Sequence, residues 1–172
     1  RTEDKQVVDF NKLLLNSYDY FFLDPTKQSD KMILDKFANL NKPPYECGNC
    51  YYLRFTPKRN LPNIEDVAPP GAGMRDKGIN EAAMRMNGIV YIDKDHFFIR
   101  KFTGELSGGF NVYGAAARVT RASFDLEQEQ RPDLKDIIVI KSVKFMYQFR
   151  AFFLSHLTRE HEVKYSNPRL NQ

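Results

Sequence analysis

Residues 142–165 read SVKFMYQFRAFFLSHLTREHEVKY, and the period assigned to this stretch decides the fold class. Met146, Phe149, Phe153 and Leu157 recur at three- and four-residue intervals, the spacing of one helical face. Phe145, Phe152 and Leu154 widen the apolar stripe, which predicts a C-terminal helix buried on two sides, by its own sheet or by a neighbour. SNPRLNQ follows as a polar tail.

Upstream of that segment the signals change to strands. GIVYI and HFFIRKF are β-rich runs on either side of a turn at Asp93–Asp95, so a hairpin is expected. ELSGG at 105–109 reads as a second turn. Thr120, Ala122, Phe124 and Leu126 alternate with Arg121, Ser123 and Asp125, the period of a half-exposed strand. EQEQRPD reads as a polar connection and DIIVI at 136–140 as a buried strand. YYLRF at 51–55 is a short strand, and the antiparallel order suggests a meander.

The N-terminal part reads as helical. Thr2 can cap a first helix, with Val7, Phe10, Leu14, Tyr18 and Phe21 on one face, and Pro25 ends it. Ser29 or Asp30 can cap a second, with Ile33, Phe37 and Leu40 inward, ended by NKPPYE. Residues 56–79 are an irregular Pro/Gly-rich arm, expected to lie on a partner or to form a surface loop. The expectation is a single domain over 1–172 of α+β class: two N-terminal helices, the arm, a small antiparallel β-sheet (meander) and a C-terminal helix.

Bulk properties narrow the function classes. At 172 residues the chain fits one domain with a real core. Its 42% apolar and 28% charged residues argue against disorder over most of its length. No apolar run approaches the ~20 residues of a membrane helix, so the protein is expected to be soluble, with no transmembrane segment. RTEDKQVVDF has no signal-peptide features and no initiator Met, as in a processed or trimmed chain; the compartment is left unknown, with an organelle after removal of a targeting segment as one alternative. Fourteen Phe and nine Tyr with no Trp point to a Phe-rich core, or to rings that cover a partner. Residues 141–172 hold six Lys and Arg against two Glu, six minus two giving the whole net charge of +4. Such a basic segment suits an acidic partner as well as it suits a solvated face.

The only cysteines, Cys47 and Cys50 in KPPYECGNCYYLRF, form a C-x-x-C pair. A thioredoxin-like motif sits between a strand and a helix that lowers the first thiol's pKa; here a strand follows instead. A Cys2His2 zinc set would need Cys47, Cys50, His156 and His161 to be united by the fold, because the pairs lie much further apart than the ~12–15 residues of a finger. His96 is the remaining histidine. The pair is expected to sit in a turn leading into a strand. No cofactor is predicted, with zinc, a local disulfide or a cysteine-linked group as the open alternatives.

APPGAGMRDKG lacks the Gly-Lys-Ser/Thr of a phosphate loop, and GELSGG is not a nucleophile elbow. No carboxylate pair stands out as an acid/base couple. YYLRF, HFFIRKF and KFMYQFR interleave rings with basic residues, as RNA-binding sheets do, but lack the RNP spacing. The chain is therefore expected to be a non-enzymatic structural or linker subunit of a multi-protein assembly, binding larger acidic protein partners. The alternatives are an RNA-binding module and a CxxC redox or zinc-binding protein. Tyr51, Tyr52, Arg54, Arg59, Phe149, Arg150 and Phe153 are the expected partner-binding residues.

Overall fold

The computed structural model describes residues 16–38, 46–61, 81–112, 117–131, 137–151 and 157–164. Over these the chain is mostly antiparallel sheet, which overturns the α+β expectation. The strands are β1 (Tyr18–Leu23), β2 (Cys50–Pro57), β3 (Met86–Asp93), β4 (Ile99–Leu106), β5 (Phe110–Val112), β6 (Ala117–Arg131), β7 (Ile137–Ala151) and β8 (Leu157–Lys164), with one helix of any length, α1 (Gln28–Ala38). The order across the sheet is β1-β2-β3-β4-β6-β7-β8, with β5 also paired to β6.

The expected C-terminal helix is instead two strands. Val143, Phe145 and Tyr147 alternate with Ser142, Lys144, Met146 and Gln148, and the stretch pairs with β6 on one side and β8 on the other. A run rich in aromatic and β-branched residues satisfies its backbone through such ladders and loses less side-chain freedom than in a helix. The first expected helix is also corrected: Tyr18 and Phe21 lie on β1, paired with β2, and residues 1–15 lie outside the described residues. EQEQR, read as a connection, is the end of β6. Thr56 and Pro57 of the expected arm belong to β2, and residues 62–79 lie outside the described residues. Among the described residues no helix is long and apolar enough to cross a membrane.

Residues opposite one another in antiparallel strands share a face, so the registers define the two surfaces. One row runs Phe22, Leu53, Val90, Phe102, Leu126, Val143, Val163 across seven strands, apolar throughout. Beside it run Tyr20, Phe55, Gly88, Gly104, Phe124 and Phe145. The paired glycines leave space that the Phe55 ring fills, stacked on Phe102 at 4.8 Å between centroids. A Cβ on Gly88 would collide with the Thr103 carbonyl oxygen and that ring.

The other face divides in two. Under α1 it is apolar, with Ile33, Leu34 and Phe37 packing on Leu23, Tyr52, Tyr91 and Ile89, while Arg54 lies further along the same face, opposite Phe21 and Ile89. On β4, β6 and β7 it carries Lys101, Glu127, Asp125 and Lys144. Two bulges adjust the long β6–β7 pairing, at Val119/Arg121 and Glu127/Gln128. The residues they displace bond across the ladder: Thr120 Oγ1 donates to the Gln148 carbonyl at 3.3 Å, and Lys141 Nζ to Glu127 Oε1 at 2.7 Å.

Candidate functional site

Two turns meet at one end of the sheet. The first, Glu46–Cys50, leads into β2 and is closed by a Cys47–Cys50 disulfide with the Cα atoms 5.7 Å apart. The Tyr52 hydroxyl donates to the Cys47 carbonyl oxygen within the same turn. The second turn joins β3 to β4 and is organised by Asp93, which is fully buried. Its Oδ1 accepts the N–H groups of Asp95 at 2.9 Å and His96 at 2.8 Å. Its Oδ2 accepts from Arg100 Nε at 2.6 Å, within an ion pair. Burial alone would raise the Asp93 pKa. The His96 N–H, the Arg100 side chain, the Asp95 N–H and the Arg100 charge together outweigh it and hold the carboxyl at about 2. The turns are tied together: the Lys94 N–H donates to the Asn49 carbonyl at 3.2 Å, and Asn49 Nδ2 donates to Asp95 Oδ2 at 2.7 Å.

Above these turns lies an exposed aromatic platform. Phe22 is 73% exposed, Phe97 72% and Tyr51 42%. Tyr51 meets Phe22 edge-on at 6.5 Å and stacks with Phe97 at 6.3 Å. The Lys94 ammonium sits 5.4 Å from the Tyr51 ring centroid, in cation–π contact. Phe97 has φ 55°, in the left-handed region that Gly and Asn occupy most readily. A bulky residue there costs on the order of 1 kcal/mol.

On the α1 side, next to the same disulfide, a cleft of about 550 Å³ is lined by Lys31, Leu34, Asp35, Cys47, Gly48 and Tyr52, among others. It opens between the helix and the disulfide turn, so one sulfur-bearing residue borders a space large enough for a side chain.

Asp93, Asp95 and His96 bring potential metal-ligand atoms within 4.8 Å of one another. Both Asp93 oxygens are already engaged, one by two backbone N–H groups and one by the Arg100 cation. That arrangement fits a structural turn rather than a cation site.

The expected partner-binding residues separate. Tyr51 is in the platform; Tyr52 points to the α1 side and is half-buried. Arg54 is half-buried on β2, with Nε unpartnered, and Arg59 is exposed beyond it. Phe149 and Arg150 are β7 positions opposite Val119 and Arg118, with Arg150 exposed. Phe153 and His156 lie outside the described residues. His161 is on β8, separated in the sheet order from β2 by β3, β4, β6 and β7, so the strand order does not place it beside the cysteine pair. In HFFIRKF, Phe98 and Lys101 are buried, which leaves Phe97 as the presented ring.

Reading the sequence missed Phe22 and Phe97. Helical spacing in the N-terminal segment puts Phe21, and not Phe22, on the inward face. A phenylalanine immediately after the polar turn DKDH was the available signal for Phe97. No known protein family, curated protein or solved structure matches the chain.

Proposed function

We propose that the protein is a non-enzymatic subunit that docks on an acidic protein partner through the platform Phe22–Tyr51–Phe97, with Lys94 as its charged contact. The observation that carries this reading is Phe97. A large ring is kept exposed at a backbone conformation that Asn or Gly would adopt at lower cost. Such a residue gives the fold little, whereas exposed aromatics are the residues most able to anchor an interface. The turns beneath it are tied by a disulfide, a buried carboxylate and two bonds through Asn49, so the rings are held in place before contact.

The test has two stages. A photo-crosslinking phenylalanine analogue in place of Phe22 captures the partner in the native source, and the partner is then purified. Its affinity is measured for the wild type and for Phe97→Asn. Binding is expected to weaken at least ~10-fold, while the melting temperature of the variant stays the same or rises. An unchanged Kd, or no protein crosslink, overturns the reading. A crosslink to RNA, with affinity falling steeply as salt is added, would replace it with the RNA-binding alternative.

A further inference from the structure

The two residues of the C-x-x-C pair stand unequally to the cleft. Cys47 lines the cleft beside α1, together with Gly48 and Tyr52, whereas Cys50 is not among the described residues that line it. Cys50 is 2% exposed, at the start of β2, and Cys47 is 7% exposed. Which sulfur of a disulfide is attacked depends on access. We propose that Cys47–Cys50 is a thiol–disulfide exchange site in which Cys47 takes the incoming thiol from the cleft, and that opening the bond loosens the aromatic platform.

The chemistry balances with an external dithiol as reductant. One thiolate of that dithiol attacks Cys47 Sγ. The Cys47–Cys50 bond breaks as a mixed disulfide forms, and Cys50 leaves as a thiolate that takes up a proton. The second thiol of the dithiol then loses its proton and attacks its own sulfur in the mixed disulfide, releasing Cys47. The external dithiol is oxidised to a disulfide and the protein disulfide is reduced to two thiols, with two electrons and two protons transferred.

The consequence for the platform follows from Asn49, which lies inside the ring that the disulfide closes. Asn49 accepts the Lys94 N–H and donates to Asp95, and Lys94 in turn covers the Tyr51 ring that stacks on Phe97. Gly48 beside it has nothing within 4 Å of the position a Cβ would take, so the tip of the turn adds no packing of its own. Cys47 and Cys50 stay anchored in the core beside Phe37, Ile89 and Tyr91, and the loosening is confined to Gly48 and Asn49 between them. The Asp93 carboxylate bonds to Asp95 and His96 do not pass through the disulfide and are expected to survive. This control of docking rests on the platform reading, whereas the exchange chemistry does not.

Two measurements on the full chain test the proposal without a partner. In Cys50→Ser the remaining Cys47 thiol is expected to alkylate, under native conditions, at least ~10-fold faster than the Cys50 thiol in Cys47→Ser. Equal rates, or a faster Cys50, overturn the assignment. The wild type is then treated with dithiothreitol and followed by amide hydrogen exchange. Lys94 is expected to exchange at least ~10-fold faster after reduction, while Asp95, His96 and Val90 keep their protection. An unchanged Lys94 overturns the coupling. Loss of protection at Val90 as well would make the bond a general staple and overturn the selective coupling to the platform. If Phe97→Asn leaves partner binding intact while these results hold, the docking reading fails and the exchange site stands.

Discussion

On β1–β3 the face under α1 is built from Leu23, Tyr52, Tyr91 and Ile89, and the helix closes over them. On β4, β6 and β7 the same face carries Lys101, Asp125, Glu127 and Lys144. Two paired carboxylates show what the division does. Asp93, at the end of the first half, receives two backbone N–H groups and a guanidinium, and every oxygen is satisfied. Asp125, in the second, bonds Lys101 Nζ at 2.9 Å through Oδ2, while its buried Oδ1 has no hydrogen-bond partner. Burial therefore dominates at Asp125 and raises its pKa, with the Lys101 charge and hydrogen bond opposing. A paired charge stabilises its surroundings only where the remaining lone pairs are also met. Asp93 meets that condition, and the turn it organises carries the candidate site.

The largest effect is expected where the packed half is tightest. Gly88→Val drives a side chain into the Thr103 carbonyl and the Phe55 ring, and should cost about 3 kcal/mol or more in denaturant unfolding. Gly108→Ala meets no atom within 4 Å and serves as its control, with a change within about 0.5 kcal/mol.

Next in size is Asp93→Ala, which strips the caps from the β3–β4 turn and leaves Arg100 without its partner. A loss of about 2 kcal/mol is expected at neutral pH. The same experiment separates the halves by pH. The folded pKa of Asp93 is depressed from 3.8 to about 2, so its contribution is present above the unfolded value and lost as pH falls through about 2. The penalty of Asp93→Ala should therefore shrink as melts are taken from about pH 5 down to about pH 2.

Asp125 runs the other way and has the smaller effect. Its folded pKa is raised, so its contribution is present below the unfolded value and is lost as pH rises through the folded one. Asp125→Asn should gain on the wild type as pH rises across that window. Carbon-13 titration of the two carboxyls checks both signs at once: a midpoint for Asp125 at or below the ordinary value would remove the contrast.

The hairpin at Asp93–Asp95 and the strand at 120–126 were legible because period-two alternation and turn residues are local signals. The C-terminal stretch was not, because Met146, Phe149, Phe153 and Leu157 satisfy helical spacing while Val143, Phe145 and Tyr147 satisfy strand spacing. Only pairing with β6 and β8 chooses between them. The C-x-x-C turn into a strand was readable from its flanks, whereas the grouping of Phe22, Tyr51 and Phe97 was not, since they come from three separate segments.

By itself the sequence determined the local pieces: the β3–β4 turn, the helix around Phe37, the turn ahead of YYLRF, and a supply of rings too large to pass unnoticed. Tertiary structure decided which strands lie side by side, and with that which rings share a face, which carboxylate is satisfied and which cysteine borders the cleft. The physical reason is that a strand's hydrogen bonds and its cross-strand neighbours are supplied by distant segments, so neither is written in the strand's own residues.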